Sequence, residues 1–476
     1  MYSFLACFFL LIGGFFVYGK IVDHAFKPTD NPTPAVVKND GVDYVPLPTW
    51  KVFMIQLLNI AGLGPIFGAL GGALWGPSVY LWIVFGTIFA GAVHDYMSGM
   101  ISLREDGKSI SEIVGHYLGN TMLQVMRLFS VVLLVLVGTV FMTGPANLIA
   151  MLTGQSPVMW LIIVLAYYFL ATLLPIDALI ARFYPLFGAC LLIMAFGIMG
   201  AMLLGVGGHT MPELTLQNLH PKDLPIWPLM FITVACGAIS GFHSTQSPLM
   251  ARCLKSEHMA RPVFYGAMVA EGVIALVWAA AGVTFYDSTG GLMAAMADVG
   301  QNKAVYEICV GLLGTVGAVL AMLGVIACPI TSGDTAFRSA RLTLADWIGL
   351  EQGNKIKRLY LAAPLLAVGG LLSQVNFTIV WRYFAWTNQT LAMIVLWTGA
   401  VYMYRKFKGS KTYLMAMIPA TFMSVVTTTY ILQAKEGLQL PTSISYPAGF
   451  VFAALFLFLF LRVTVLRKDE ADKSVD

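Results

Sequence analysis

The apolar residues of this chain come in runs of about 20, the length at which an α-helix crosses about 30 Å of hydrocarbon. Inside a bilayer each backbone N–H and C=O needs a partner within its own segment or from a neighbour, so such runs become helices. Only 11% of the 476 residues are charged, against 58% AVILMFWYC. A soluble chain of this length needs far more charge to cover its surface. The pattern therefore excludes a string of soluble domains and predicts an all-α integral membrane protein. Hydropathy places about thirteen spans, near 2–20, 51–75, 78–102, 121–143, 157–176, 183–206, 227–246, 263–286, 305–332, 358–375, 378–403, 411–432 and 446–466.

Charge placement orients them. The first apolar stretch lacks a preceding positive charge and is followed by Lys20, the reverse of a cleaved signal peptide. Residues 1–22 are expected to stay as a first helix with the N-terminus outside. Basic residues then gather after every second span: Lys27, Lys38 and Lys51, Arg104 and Lys108, Arg182, Arg252, Lys255 and Arg261, Arg338, Arg341, Lys355, Lys357 and Arg358, and Arg405 to Lys411. The alternate loops hold little beyond Lys222, Lys303 and Lys435. By the positive-inside rule the C-terminus, with Arg467, Lys468 and Lys473 in a tail at 467–476, is cytoplasmic. The longest cytoplasmic stretches, about 21–50 and 333–357, are too short to fold alone.

Two spans carry helix-breaking sequences. The second contains Asn59-Ile60-Ala61-Gly62-Leu63-Gly64-Pro65-Ile66-Phe67-Gly68, and the seventh contains Cys236-Gly237-Ala238-Ile239-Ser240-Gly241-Phe242-His243. Proline removes a backbone hydrogen bond and glycine lowers the cost of unwinding. Either stretch alone also fits small-residue helix packing. The two lie five spans apart and so cross the membrane in opposite senses, a pattern that points to an inverted repeat with binding at the midplane. The predicted architecture is a LeuT-like 5+5 repeat, residues 51–206 and 227–403, with two trailing spans at 411–466. Half-helix N-termini at the breaks suit a carboxylate, and freed carbonyls suit a sodium ion or a polar substrate edge. Gly62, Gly64, Pro65, Gly68, Gly237, Ser240 and Gly241 are thus candidate substrate-binding residues.

Ionisable residues inside spans are functional candidates by default. His94 and Asp95 fall in the third span, His243 in the seventh, and Glu271 in the eighth with no basic residue nearby in sequence. All four are candidates for proton coupling, with tethering of neighbouring helices as the plainer alternative. On a helix His94 and Asp95 point about 100° apart, so both are not expected to face one ligand. Thr331 and Ser332, with Asp334 and Thr335, fall at the end of the ninth span, either as cation ligands or as helix caps. Asn388 and Gln389 sit mid-span and line the pathway or join helices. The six cysteines show no CxxC pairing and read as small packing residues. No HExxH, Walker A, Rossmann or GxSxG motif occurs.

Several segments together resemble the carbon starvation protein (CstA) family: Gly64-Pro65-Ile66, Phe89 to Tyr96, Ser109 to Ile113, Phe231 to Ser244, Ala260 to Met268 with Glu271, and Phe384 to Gln389. They run in the family's order over most of the chain. The resemblance implies a bacterial inner-membrane nutrient symporter related to the amino-acid/polyamine/organocation superfamily, linked to peptide use under carbon starvation and, in some members, to proton-coupled pyruvate uptake. The resemblance implies a chain shorter than the better-known members, with their extra C-terminal spans expected to be absent or reduced. The expectation is a carrier rather than an enzyme, coupled to H+ or Na+. It has no resident cofactor, and its partners are a small-molecule substrate and the lipid bilayer, without nucleic acid; its oligomeric state is left open. The alternative from another class is a membrane-embedded sensor or metal-dependent enzyme built on His94, Asp95 and His243.

Overall fold

The computed structural model describes residues 1–41, 44–173, 176–297, 300–351 and 355–466. The expected tail 467–476, with Arg467, Lys468 and Lys473, and the side chain of Arg182 lie outside the described part. Among the described residues every element is helical. Among these residues, eight helices are by themselves long and apolar enough to cross a membrane. The helices that position the site are α1 (Tyr2–Phe16), α2 (Thr49–Ile60), α3 (Gly64–Gly72), α4 (Ala92–Arg104) and α5 (Asn120–Thr153). They continue with α6 (Gly241–Ala251), α7 (Gly266–Phe285), α8 (Gln301–Ile348) and α9 (Phe377–Lys406).

Small residues let these helices approach, as expected where lipid gives little driving force for helix association. The ring of Phe337 on α8 lies against Gly138 on α5, and the ring of Phe264 lies against Gly99 on α4. α8 bends at Gly314, where φ is 65°, a conformation with little steric cost only for glycine.

α8 is longer than its apolar run. Hydropathy ends the ninth span near 332, with a cytoplasmic stretch at 333–357 after it. The helix instead runs on to Ile348 and stops at Gly349, whose φ is 70°. Residues 333–348 are poorer in apolar side chains, so hydropathy falls, but they contain no proline, and after Gly333 the next glycine is Gly349. Helix propensity continues past the apolar run.

The 21–50 stretch is a strap rather than a free loop. Thr33 Oγ1 donates to Leu254 O at 2.5 Å, and Val45 N and Leu47 N donate to Arg252 O and Cys253 O at 3.2 and 3.0 Å. Arg104, the last residue of α4, closes the same end. Its guanidinium donates to both oxygens of Glu257 at 3.0 and 2.8 Å, and also to Phe26 O and the Tyr402 hydroxyl. A forked pair of this kind fixes geometry as well as charge.

Glu257 is 6% exposed, so removing either partner strands a largely buried charge, at a cost of about 3 kcal/mol. Arg104→Gln and Glu257→Gln should each lower the unfolding midpoint of the detergent-solubilised protein substantially, and Arg104→Met with Glu257→Leu should recover most of the loss. Single-variant losses no larger than those of an exposed pair, about 1 kcal/mol or less, would show that this latch does not hold the strap.

Candidate functional site

The first break lies between α2 and α3. α2 ends at Ile60, and Ala61 leaves helical geometry at φ −85°, ψ 51°. Pro65 stands in the first turn of α3, where its missing N–H is no loss. It starts the second half-helix instead of interrupting a continuous one. The carbonyls freed at the end of α2 are taken by α8. Leu58 O accepts from Ser332 Oγ at 2.9 Å and from Cys328 Sγ at 3.3 Å, and Cys328 Sγ also approaches Ala61 O at 3.1 Å.

The second break is longer. Short helices Leu229–Thr233 and Ala235–Ala238 give way to extended backbone at Ile239 and Ser240, and α6 starts at Gly241. Its open backbone groups are met by side chains. Thr87 Oγ1 donates to Gly237 O at 3.1 Å, and Gln389 Nε2 donates to Phe231 O at 2.7 Å. Asn388 Oδ1 accepts from Phe242 N at 2.7 Å and from Ser240 Oγ at 3.2 Å, while its Nδ2 donates to Cys236 Sγ at 3.4 Å. Asn388 thus caps the N-terminus of α6 from another helix. The breaks touch directly, because the bare Cα of Gly64 leaves the space that Cys236 fills. Gly62 faces the ring of Phe141, Gly241 packs on the backbone of Asn388 and Ala392, and Gly68 is buried within α3.

Beside the second break lies a fully buried ionic chain. A π-helical turn, Thr87–Gly91, leads into α4; such turns shift side-chain register and recur at functional sites. Asp95 receives His94 Nδ1 on Oδ1 and His243 Nδ1 on Oδ2, both at 2.8 Å. His243 Nε2 then stands 3.2 Å from Glu271 Oε2, within ion-pair distance but without hydrogen-bond alignment. All four side chains have no solvent exposure. Three helices, α4, α6 and α7, are joined by one carboxylate–imidazole–carboxylate series. Asp95 and His94 do meet despite their divergence on the helix, because the link is side chain to side chain. Glu271, without a basic neighbour in sequence, finds one in His243.

The structure also corrects the reading of Thr331 and Ser332. They lie inside α8 and cap no helix end. Thr331 Oγ1 bonds back to Cys328 O at 2.7 Å, while Ser332 alone reaches the first break. Cys236, Cys328 and Thr87 were missed as site residues. Cys236 had a legible signal, since it lies within the broken segment. Cys328 and Thr87 had none, because a single hydroxyl or thiol in an apolar run does not say which carbonyl it will meet. Asp95 stands between the rings of His94 and His243, taking one imidazole nitrogen on each oxygen. The cluster of ligand-type atoms found among the described residues is Cys236, His243 and Glu271, all within 4.8 Å of one another.

The carbon starvation protein CstA family matches residues 1–152 and 142–305. The chain belongs to the CstA family. A membrane protein of Haemophilus influenzae is 44% identical over 351 residues, which is 62% of this chain and 94% of that one. The peptide transporter CstA of Campylobacter jejuni is 28% identical over 342 residues, 57% of this chain and 48% of that one; the match thus spans about half of that CstA protein. In fold, the chain is similar to a manganese transporter of Eremococcus coleocola. Its TM-score is 0.57 at 12% identity, covering 90% of this chain and 97% of that one. The protein is thus a multi-pass CstA member, helical throughout its described elements, with a fold similar to that of the manganese transporter.

Asn388→Ala should leave the Phe242 N–H buried and unpaired, costing about 1–3 kcal/mol. Thermal unfolding should report that loss, and amide exchange should accelerate at residues 239–243 before the rest of the chain. Unchanged exchange there would mean that Asn388 does not hold the break.

Proposed function

We propose that the chain is a secondary active transporter that imports a short peptide or a pyruvate-like carboxylate together with a coupling cation, by alternating access, across the bacterial inner membrane. The observation that carries this reading is the buried Asp95–His243–Glu271 series set against the second helix break. Ionisable groups at membrane depth are costly, and they mark functional sites such as ion pathways and proton relays. Broken helices in matching positions of residues 51–206 and 227–403 fit the two halves of an inverted repeat that rocks around a midplane site. The peptide-transporter name carried by CstA relatives supports the substrate class.

In this reading the substrate carboxylate takes the N-terminal end of α6, where the Asn388 oxygen now accepts from Phe242 N. Gly237, Ser240 and Gly241 bring the backbone close, and Gly62, Gly64, Pro65 and Gly68 shape the facing half. Gln389, held on the Phe231 carbonyl, supports the break from behind. The coupling ion is a proton, held between His243 and Glu271 and relayed through Asp95 and His94. Sodium is the weaker choice, because the Ser332 hydroxyl already donates to Leu58 O and Thr331 turns back on its own helix. A hard cation needs several free oxygens. The basic residues Lys38, Arg104, Lys108 and Arg252 meet at the strap end of the molecule, which by the positive-inside rule is cytoplasmic, leaving the N-terminus outside.

Proteoliposomes containing the full chain should accumulate labelled dipeptide or pyruvate under an inward proton gradient and not under a sodium gradient alone. His243→Gln removes the centre of the series; the loss of a buried partner, about 3 kcal/mol, corresponds to a fall of about 100-fold in the coupled state. No uptake of either solute under any gradient would refute the reading.

A further inference from the structure

We propose that Cys236, His243 and Glu271 form a binding site for a thiophilic divalent cation, with zinc as the ion the donors fit best. Cys236 lies on the broken segment, His243 on α6 and Glu271 on α7, and one ligand atom from each lies within 4.8 Å of the other two. The imidazole is already arranged for the task. Its Nδ1 is bonded to Asp95 at 2.8 Å, which leaves Nε2 to face the cluster. A carboxylate behind a ligating histidine is the usual outer partner of a metal-bound imidazole, fixing its tautomer and raising its basicity.

The remaining donor atoms already gather on this imidazole. His243 Nε2 and both Glu271 oxygens are buried without an aligned hydrogen bond, and the Cys236 sulfur, which also neighbours His243 and Ser240, accepts a long contact from Asn388 Nδ2 at 3.4 Å. In a tetrahedral zinc site, adjacent N and O donors lie about 3.3 Å apart and S and N donors about 3.5 Å. His243 Nε2 and Glu271 Oε2 are already 3.2 Å apart, so a small movement of the Cys236 side chain completes three ligands. The fourth position is left for water, as in zinc sites that keep an open position.

Charge selects the ion. A thiolate, a carboxylate and a neutral imidazole around a doubly charged cation sum to zero, which removes most of the penalty for charge in a dry site. Binding releases the thiol proton of Cys236 and displaces any proton held between His243 and Glu271, so metal and coupling proton compete for the same lone pairs. Thiolate and imidazole favour zinc over magnesium, calcium or manganese. Entry to these buried atoms uses the opening of the carrier, and to that extent the inference rests on the transport reading.

The test uses the purified full-length protein, freed of metal, with cobalt(II) as the spectroscopic probe. One cobalt should bind per chain with a near-ultraviolet sulfur-to-cobalt band and the visible bands of a tetrahedral ion, and equimolar zinc should displace it. Cys236→Ser should abolish the sulfur band, and Glu271→Gln should weaken binding at least about tenfold; Cys7→Ser should change neither. If Cys236→Ser does not fold, Glu271→Gln and His243→Gln carry the same comparison. Absence of stoichiometric cobalt binding to folded wild-type protein, or a sulfur band that persists in Cys236→Ser, would overturn the proposal. Proton-driven uptake without cobalt binding would remove the metal site and leave the transporter reading intact. Cobalt binding without uptake would do the reverse.

Discussion

The Asp95 carboxylate, with no solvent exposure and an imidazole on each oxygen, is the constraint around which the rest of this fold is arranged. A lone carboxylate at that depth costs several kcal/mol. Holding it there requires His243 to come from a second helix, and His243 reaches it only because the backbone before α6 is extended at Ile239 and Ser240. The same ring brings its other nitrogen to Glu271 on α7. The irregular backbone and the buried charges therefore stabilise each other. A continuous helix in place of the second break would present His243 at a different height and rotation.

The breaks persist because protein groups replace the missing helical hydrogen bonds. Asn388, Gln389 and Thr87 serve the second break, while Cys328 and Ser332 serve the first. Each partner comes from a helix outside the broken one, so the breaks are fixed by tertiary packing and respond when neighbouring helices move. With the site residues fully buried, this is a closed arrangement. In the proposed carrier cycle these helices part on one side at a time, and each parting exchanges a protein hydrogen bond for one to substrate or water.

Much of this was legible in the sequence. Runs of apolar residues gave the helices, and the glycine-rich stretches at 61–68 and 235–245 located both breaks, because loss of side chains and of an amide hydrogen acts locally. The buried ionisable residues were also legible as individuals, since His94, Asp95, His243 and Glu271 stand out against apolar neighbours. Their connection was not. Residues 95 and 243 are joined by a fold in which spacing along the chain carries no distance information, and the role of Cys236 as neighbour to His243 depends on the bare Cα of Gly64. The end of α8 was misplaced for a different reason: hydropathy reports where the bilayer stops, whereas helix propensity decides where the helix does.

The central claim is that the His243–Glu271 pair carries the coupling ion and is separate from the groups that carry the substrate. Comparing solute counterflow with gradient-driven accumulation in Glu271→Gln proteoliposomes tests it most directly. Counterflow exchange should survive, because loaded carriers still reorient, while accumulation against a gradient should be lost and no longer respond to an imposed proton gradient. Equal loss of both activities, or accumulation that remains proton-driven, would contradict the claim.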